Sequence, residues 1–216
     1  MRLEGKEVLV ATRNPGKVRE FRALFQDRGI RVTSLNDISG APEVVEDGET
    51  FAENARKKAW SVSAALDVPV IADDSGLCVD ALDGRPGVRS ARYAGENATD
   101  EANNRKLLEE LRSRNPVPVV EKRGAGLPDL NLLSPARFVC AIALADAANG
   151  DVLVVEASLE GMIADAPHGS QGFGYDPLFY VPESGRTMAE MDLDEKNRIS
   201  HRARAMKKLV EQLESS

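Results

Sequence analysis

Short apolar runs alternate with helix-spaced stretches along the chain, and this pattern predicts an α/β protein. Val8-Leu9-Val10-Ala11 is a β-like run, and Val18, Phe21, Leu24 and Phe25 then keep helical spacing up to a stop at Gly29. Between them, Asn14 is a good N-cap and Pro15 suits the first helical position. Thr50-Phe51-Ala52-Glu53 opens a second helix with a capping-box pattern, running toward Leu66 with Ala52, Ala55, Ala59 and Val62 on one face. Val70-Ile71-Ala72 reads as a short buried strand that ends at Asp73-Asp74-Ser75-Gly76, and Leu77-Cys78-Val79 reads as another. Asp83-Gly84 and Pro86-Gly87 are turn signals. Thr99 caps a third helix with Leu107, Leu108 and Leu111 on its apolar side.

Residues 115–136 are rich in Pro, Gly and charge and lack periodicity, which predicts an irregular surface loop. Residues 138–144 and 152–155 are β-rich runs on either side of Asp146-Ala147-Ala148-Asn149-Gly150, the pattern of a hairpin, and residues 158–163 extend it. Leu178-Phe179-Tyr180-Val181 is a further strand. Ser200 is the N-cap of a last helix whose packed stripe is Ala203, Met206, Val210 and Leu213.

Composition narrows the class. A length of 216 residues fits one sizeable domain or two closely joined lobes, and 42% hydrophobic with 29% charged residues is globular. No apolar run is long enough to span a membrane, and Met1-Arg2-Leu3-Glu4-Gly5-Lys6-Glu7 lacks the apolar core of a signal peptide. Cytoplasm is the expected location. Cys78 and Cys140 make no metal-thiolate spacing and fit a reduced compartment. The net charge of −7 argues against broad binding to a nucleic-acid backbone. It leaves room for a small phosphorylated ligand, which needs only a local cluster of cations.

Several stretches carry candidate chemistry, each with a plainer alternative. Asp73 and Asp74 at a strand end suit a hard cation such as Mg²⁺; they also suit the start of a turn completed by Ser75 and Gly76. Thr12-Arg13-Asn14-Pro15-Gly16-Lys17 joins a strand to a helix start, where N–H groups and the helix dipole favour an anion and Arg13 and Lys17 add charge. It is not a Walker A loop, and a well-capped helix with solvated basic residues explains it equally. Glu46, in the acidic connection 43–49, is either a metal ligand or a solvated charge. Gly169-Ser170-Gln171-Gly172-Phe173-Gly174-Tyr175-Asp176-Pro177 allows close backbone approach to a ligand. Phe173 or Tyr175 can stack on a nucleobase or plug the core. His201 and Arg202 place cations in the first turn of a helix, against its dipole, which hints at an acceptor-rich ligand.

Five of these motifs occur in the order of one family: Thr12-Arg13-Asn14-Pro15-Gly16-Lys17, Ala72-Asp73-Asp74-Ser75-Gly76-Leu77, Ser90-Ala91-Arg92-Tyr93, Phe173-Gly174-Tyr175-Asp176-Pro177 and Ser200-His201-Arg202-Ala203. Over nearly its whole length the chain resembles the inosine triphosphate pyrophosphatase family, which acts on non-standard purine nucleotides. The resemblance implies an α/β fold with a long, twisted mixed sheet flanked by helices, a single domain over residues 1–216 in two lobes with a central cleft, and a homodimer. It implies Mg²⁺-dependent hydrolysis of ITP, dITP and XTP to the monophosphate and pyrophosphate. The phosphate-binding segment then matches residues 12–17, the general base and metal ligand Asp74, the substrate-contacting hydroxyl Ser75, and the second metal ligand Glu46. The nucleotide-contacting loop matches Phe173, Gly174, Tyr175 and Asp176, the lysine Lys196, and the base-reading pair His201 and Arg202. Arg13 stands where many members carry a small residue, Val45 stands where some carry a second acid, and residues 115–137 look longer than the usual connection.

On that resemblance Lys17 and Lys196 stabilise the leaving pyrophosphate, and Arg202 donates to a six-keto base that adenine cannot match. Two rivals remain at this point: a pyrophosphatase of pyrimidine triphosphates, and a nucleotide sensor without turnover.

Overall fold

The computed structural model describes residues 7–26, 29–124 and 127–215. The leader reading of residues 1–6 lies outside the described residues. Among those described, the chain forms a mixed α/β fold in two compact units. One unit takes in Met1–Ser75, Val139–Ser158 and Asn197–Ser216; the other takes in Gly76–Phe138 and Leu159–Lys196.

In the first unit, strand β1 (Glu7–Val10) leads to helix α1 (Pro15–Gln26) and strand β2 (Arg31–Ser34). Helix α2 (Phe51–Leu66) then leads to β3 (Val70–Val79). Both β2 and β3 pair with β1 in parallel, so β1 is central and the chain switches sides after β2. Ligands of parallel sheets bind beyond the strand ends at such a switch. Leu9 and Val10 pair with Val70 and Ile71, so Asp73 and Asp74 lie just past the end of β1, where α1 begins. The core of this unit joins Val8, Val10, Phe21, Phe25, Ile71 and Ile142 to Met206 and Leu209 of the last helix.

The caps behave as their residues demand. The Asn14 side chain accepts from Gly16 N and Lys17 N at 2.8 and 3.1 Å, and Thr50 and Glu53 complete a capping box. Thr99 caps helix α3 (Asp100–Ser113) and Ser200 caps helix α5 (His201–Glu214).

Strands β5 (Leu130–Asp146) and β6 (Asp151–Ala164) are neighbours in the sheet, joined by the turn 147–150. The runs 152–155 and 158–163 are therefore one strand. In the second unit, β7 (Phe179–Val181) pairs antiparallel with β6 and with β8 (Arg186–Thr187), and helix α4 (Leu193–Ile199) follows.

Two expectations change. Residues 115–136 are not an irregular loop throughout: strand β4 (Val119–Glu121) pairs antiparallel with Leu130–Leu132, the start of β5. The prolines and charges hid this pairing because β4 is a short edge strand with exposed residues, which carries no apolar alternation. Residues 70–79 are likewise one strand rather than two with a turn between. Asp73 and Asp74 interrupt its apolar pattern while remaining fully extended. No helix among the described residues is long and apolar enough to cross a membrane.

Candidate active site

Because Asp73 and Asp74 are consecutive in a strand, their side chains leave on opposite faces and meet different neighbours. Asp73 is wholly buried. Its Oδ2 takes Lys17 Nζ at 3.0 Å, Arg202 Nε at 3.2 Å and Nη2 at 3.0 Å, and the Ser75 hydroxyl at 3.3 Å. Burial pushes this carboxyl up, but Lys17 and Arg202 outweigh burial and hold it well below the usual carboxylate range. Its Oδ1 is buried with no hydrogen-bond partner among the described residues.

Asp74 accepts from Asn54 Nδ2 at 2.9 Å and from Ser75 N at 2.9 Å. Burial raises this carboxyl above its ordinary value; Lys17 opposes the shift and Glu46 adds to it. Two adjacent carboxylates pushed in opposite directions is the pattern that separates a permanent anion from a proton acceptor.

Helices supply the partners. Lys17 stands in the first turn of α1. Three residues on, Glu20 is buried on the same helix and bonds Arg202 Nη1. Asn54 and Lys58 stand four apart on α2. Asn54 also accepts from Gly48 N at 2.8 Å. Lys58 bridges Glu46 to the Asp73 carbonyl, 3.0 Å away. Burial lowers the Lys58 pKa, and Glu46 and Asp73 more than restore it, so the ammonium stays charged.

Glu20, Asn54 and Lys58 escaped the sequence reading. The signal was present for Asn54, a polar residue within the buried face made by Phe51, Ala55, Ala59 and Val62.

The segment 12–17 is more self-contained than its dipole suggests. Thr12 Oγ1 accepts from Asn14 N, and Asn14 engages Gly16 N and Lys17 N. Pro15 has no N–H, so the positive charge of this segment toward β3 comes from the Lys17 side chain, paired with Asp73, rather than from the backbone. Arg13 reaches Ala41 O at 3.3 Å.

Arg202 and His201 do open α5, as expected, and both are buried. Arg202 is only 1% exposed, and its guanidinium is bonded to Asp73, Glu20 and, at 2.8 Å, Ser75. It is the tie between α5, α1 and β3 within the first unit.

In the second unit, the glycine loop gathers its own pair. Lys196 Nζ meets Asp176 Oδ2 at 2.5 Å, both largely buried, with the ammonium 5.6 Å from the Phe173 ring centre. The same Asp176 oxygen accepts from Phe173 N at 3.1 Å. Gly172 has φ +82°, and a Cβ there would stand 2.0 Å from Asp176 Oδ2 and 2.6 Å from Lys196 Nζ. Gly174 donates to Asp100 at 2.7 Å and accepts from Asn104 at 2.9 Å. The two aromatics part company: Tyr175 is 4% exposed and donates to Ser90 O at 2.8 Å, a core plug, whereas Phe173 is half-exposed.

No trio of His, Cys, Asp or Glu among the described residues is grouped as a metal cage. Mg²⁺ needs only one or two carboxylates, with phosphates and waters completing its shell. The network suits a further cation on charge as well. Glu20, Glu46, Asp73 and Asp74 face Lys17, Lys58 and Arg202, one carboxylate in excess, and one buried Asp73 oxygen is unpartnered.

The chain is 55% identical over 209 residues to the dITP/XTP pyrophosphatase of Geobacillus kaustophilus (strain HTA426), covering 97% of this chain and 95% of that one. It is 48% identical over 210 residues to the protein of that name from Bacillus subtilis (strain 168), covering 97% and 98%. Its fold matches the Ham1 protein of Staphylococcus aureus with a TM-score of 0.76 at 40% identity, covering 97% and 99% of the two chains. The match to a HAM1 protein from Coxiella burnetii has a TM-score of 0.80 at 38% identity, covering 98% and 100%. With the Ham1 family model matching residues 8–212, which take in the Lys17–Asp73–Arg202 network and the glycine loop alike, the chain belongs to the Ham1 family.

Proposed function

We propose that the protein is a Mg²⁺-dependent pyrophosphatase that hydrolyses dITP, XTP and ITP to the monophosphate and pyrophosphate. The observation that carries this reading is the placement of Asp74, held by Asn54 and the Ser75 amide, next to the buried Lys17–Asp73–Arg202 network. The names of the relatives support the substrate class.

Asp74 is the proton acceptor for the attacking water. Asn54 and the Ser75 amide fix its orientation. Asp74 and Glu46 would hold Mg²⁺, which when bound supplies charge neutralisation on the phosphates and an acidified water. Lys17 and Lys58 are charged side chains beside these acids, placed to stabilise negative charge on the departing pyrophosphate. Thr12, Asn14, Pro15 and Gly16 set the position of Lys17.

Phe173, Gly174 and Asp176, with Lys196, contact the nucleotide, Phe173 by stacking; Tyr175 holds the loop from behind. His201 and the first-turn N–H groups of α5 read the six-keto group. Arg202 serves them by fixing Asp73 and Ser75. We also infer one functional domain, since β3, β5 and β6 each contribute to both units, a homodimer, and a cytoplasmic location.

The test is pyrophosphate release from dITP, XTP, ITP, ATP, GTP and dUTP, with Mg²⁺ and with a chelator. Hydrolysis of the first three above the rest, abolished by the chelator, is expected. Preference for dUTP, or binding without turnover, sinks the reading.

A further inference from the structure

The segment after α3 contains one side chain with no evident place on a surface connection. The side chain of Arg123, just beyond β4, is 1% exposed. Its Nε donates to Pro128 O at 2.8 Å, and its Nη1 meets both oxygens of Glu190, at 2.9 and 2.7 Å. Charge-assisted contacts of this length are among the strongest in a protein. Nη2 is buried without a partner among the described residues, so the guanidinium is held through Nε and Nη1.

Glu190 closes a one-turn helix, residues Met188–Glu190, through a capping box. Its Oε2 accepts from Thr187 N at 2.8 Å and lies 3.2 Å from the Thr187 hydroxyl oxygen. That turn is the base on which the glycine loop rests. The Thr187 hydroxyl also donates to His168 O at 2.8 Å. Ser170 N and Gln171 N both donate to Ala189 O, at 3.0 and 2.9 Å, and Ala189 N donates to Asp176 O at 3.1 Å. Gly169 approaches so closely that a Cβ would lie 2.3 Å from the Ala189 carbonyl. Both ends of the loop carrying Phe173, and the Asp176 that grips Lys196, therefore hang on the turn whose cap Arg123 secures. All of these residues belong to the second unit.

We propose that Arg123 is a positioning residue for nucleotide binding. It fixes Glu190, the Glu190-capped turn fixes residues 168–176, and that loop meets the nucleotide. The proposal rests on the reading of this loop as the nucleotide contact. Arg123 thus contributes to substrate affinity through Glu190 and the loop above it.

Arg123→Met keeps the buried stem and removes the donors. The KM for dITP is expected to rise on the order of tenfold with kcat within about twofold, the signature of lost uniform binding. The Ser170 and Gln171 amides should exchange faster with solvent in the absence of substrate. Arg123→Lys, which returns a charged donor to Glu190, should recover most of the KM. Should Arg123→Met fail to fold, Glu190→Gln carries the same test, with KM expected to shift in the same direction. An unchanged KM overturns the proposal, and so do Ser170 and Gln171 amides as protected as in the wild type. A lower melting temperature with KM intact leaves Arg123 purely structural and also overturns it. Failure of the functional reading is distinguishable: the wild type itself would then release no pyrophosphate from dITP, while the exchange measurement, which needs no substrate, still reports on the clamp.

Discussion

Asp74 and Asp73 differ by one position and have opposite surroundings. Asp74 has one amide and one backbone N–H as partners; Asp73 has two cations. Asp74→Asn should keep the fold, since the amide oxygen still accepts one of the two bonds, and should lower kcat by roughly 10²–10⁴-fold, the usual loss when a general base is removed. Steady-state turnover of dITP checks this, and a rate near wild type would take Asp74 out of its role. For Arg202 the buried contacts support a second reading beside base reading. As a base-reading donor it would affect dITP and XTP more than ATP. Buried against Asp73 and Glu20, it should instead matter to the whole fold, because breaking a buried ion pair strands the remaining charges. Arg202→Met is expected to lose about 3–5 kcal/mol of stability and to lower activity on every triphosphate alike. Denaturant midpoints and kcat/KM for three substrates decide between the two. An unshifted midpoint with a selective loss on dITP would return Arg202 to base reading.

Elements whose signals are local were legible from the sequence. The Asn14 cap, the Thr50–Glu53 box and the Ser200 cap each need only residues within one turn, and the structure contains all three. Strand β3 was misread because its two buried acids resemble turn residues, and only the distant Lys17 and Arg202 make such burial tolerable. Lys58 and Arg123 were missed for the same reason: on the sequence they are ordinary charges, and their partners Glu46 and Glu190 are 12 and 67 positions away. The glycine loop was read as allowing close approach to a ligand; the close approach in the structure is to the protein's own side chains, and Gly172 is where it is tightest. Gly172→Ala combines an unfavourable positive φ, about 1 kcal/mol for a non-glycine residue, with a Cβ 2.0 Å from the Asp176 carboxylate. Relief requires parting Asp176 from Lys196. The variant should remain folded by circular dichroism and lose kcat/KM for dITP by about tenfold or more. Wild-type kinetics would show that the Lys196–Asp176 contact is not needed.

At the scale of the molecule the argument is electrostatic. A chain of net charge −7 that binds a triphosphate must neutralise it locally, and the network around β3 holds one more carboxylate than cation. On the proposed function, a triphosphate alone would be repelled there and Mg²⁺ alone would have few protein oxygens to bind, so each is expected to strengthen the other. This coupling appears in stability without any turnover, because a ligand that binds only the folded state raises its midpoint. With a non-hydrolysable dITP analogue and Mg²⁺ both near 100 times their dissociation constants, stabilisation of about 2.7 kcal/mol is expected, or roughly 5–10 °C for a chain of this size. Either component alone should give a small fraction of that shift, and a chelator should reverse it. Asp74→Asn should abolish the Mg²⁺-dependent part while leaving the ligand-free midpoint close to wild type. The measurement is a thermal melt of both proteins under the four ligand conditions. An analogue that stabilises the wild type equally with and without Mg²⁺ would mean that Lys17 and Lys58 suffice for the phosphates, and the carboxylate excess would lose its meaning as a metal site.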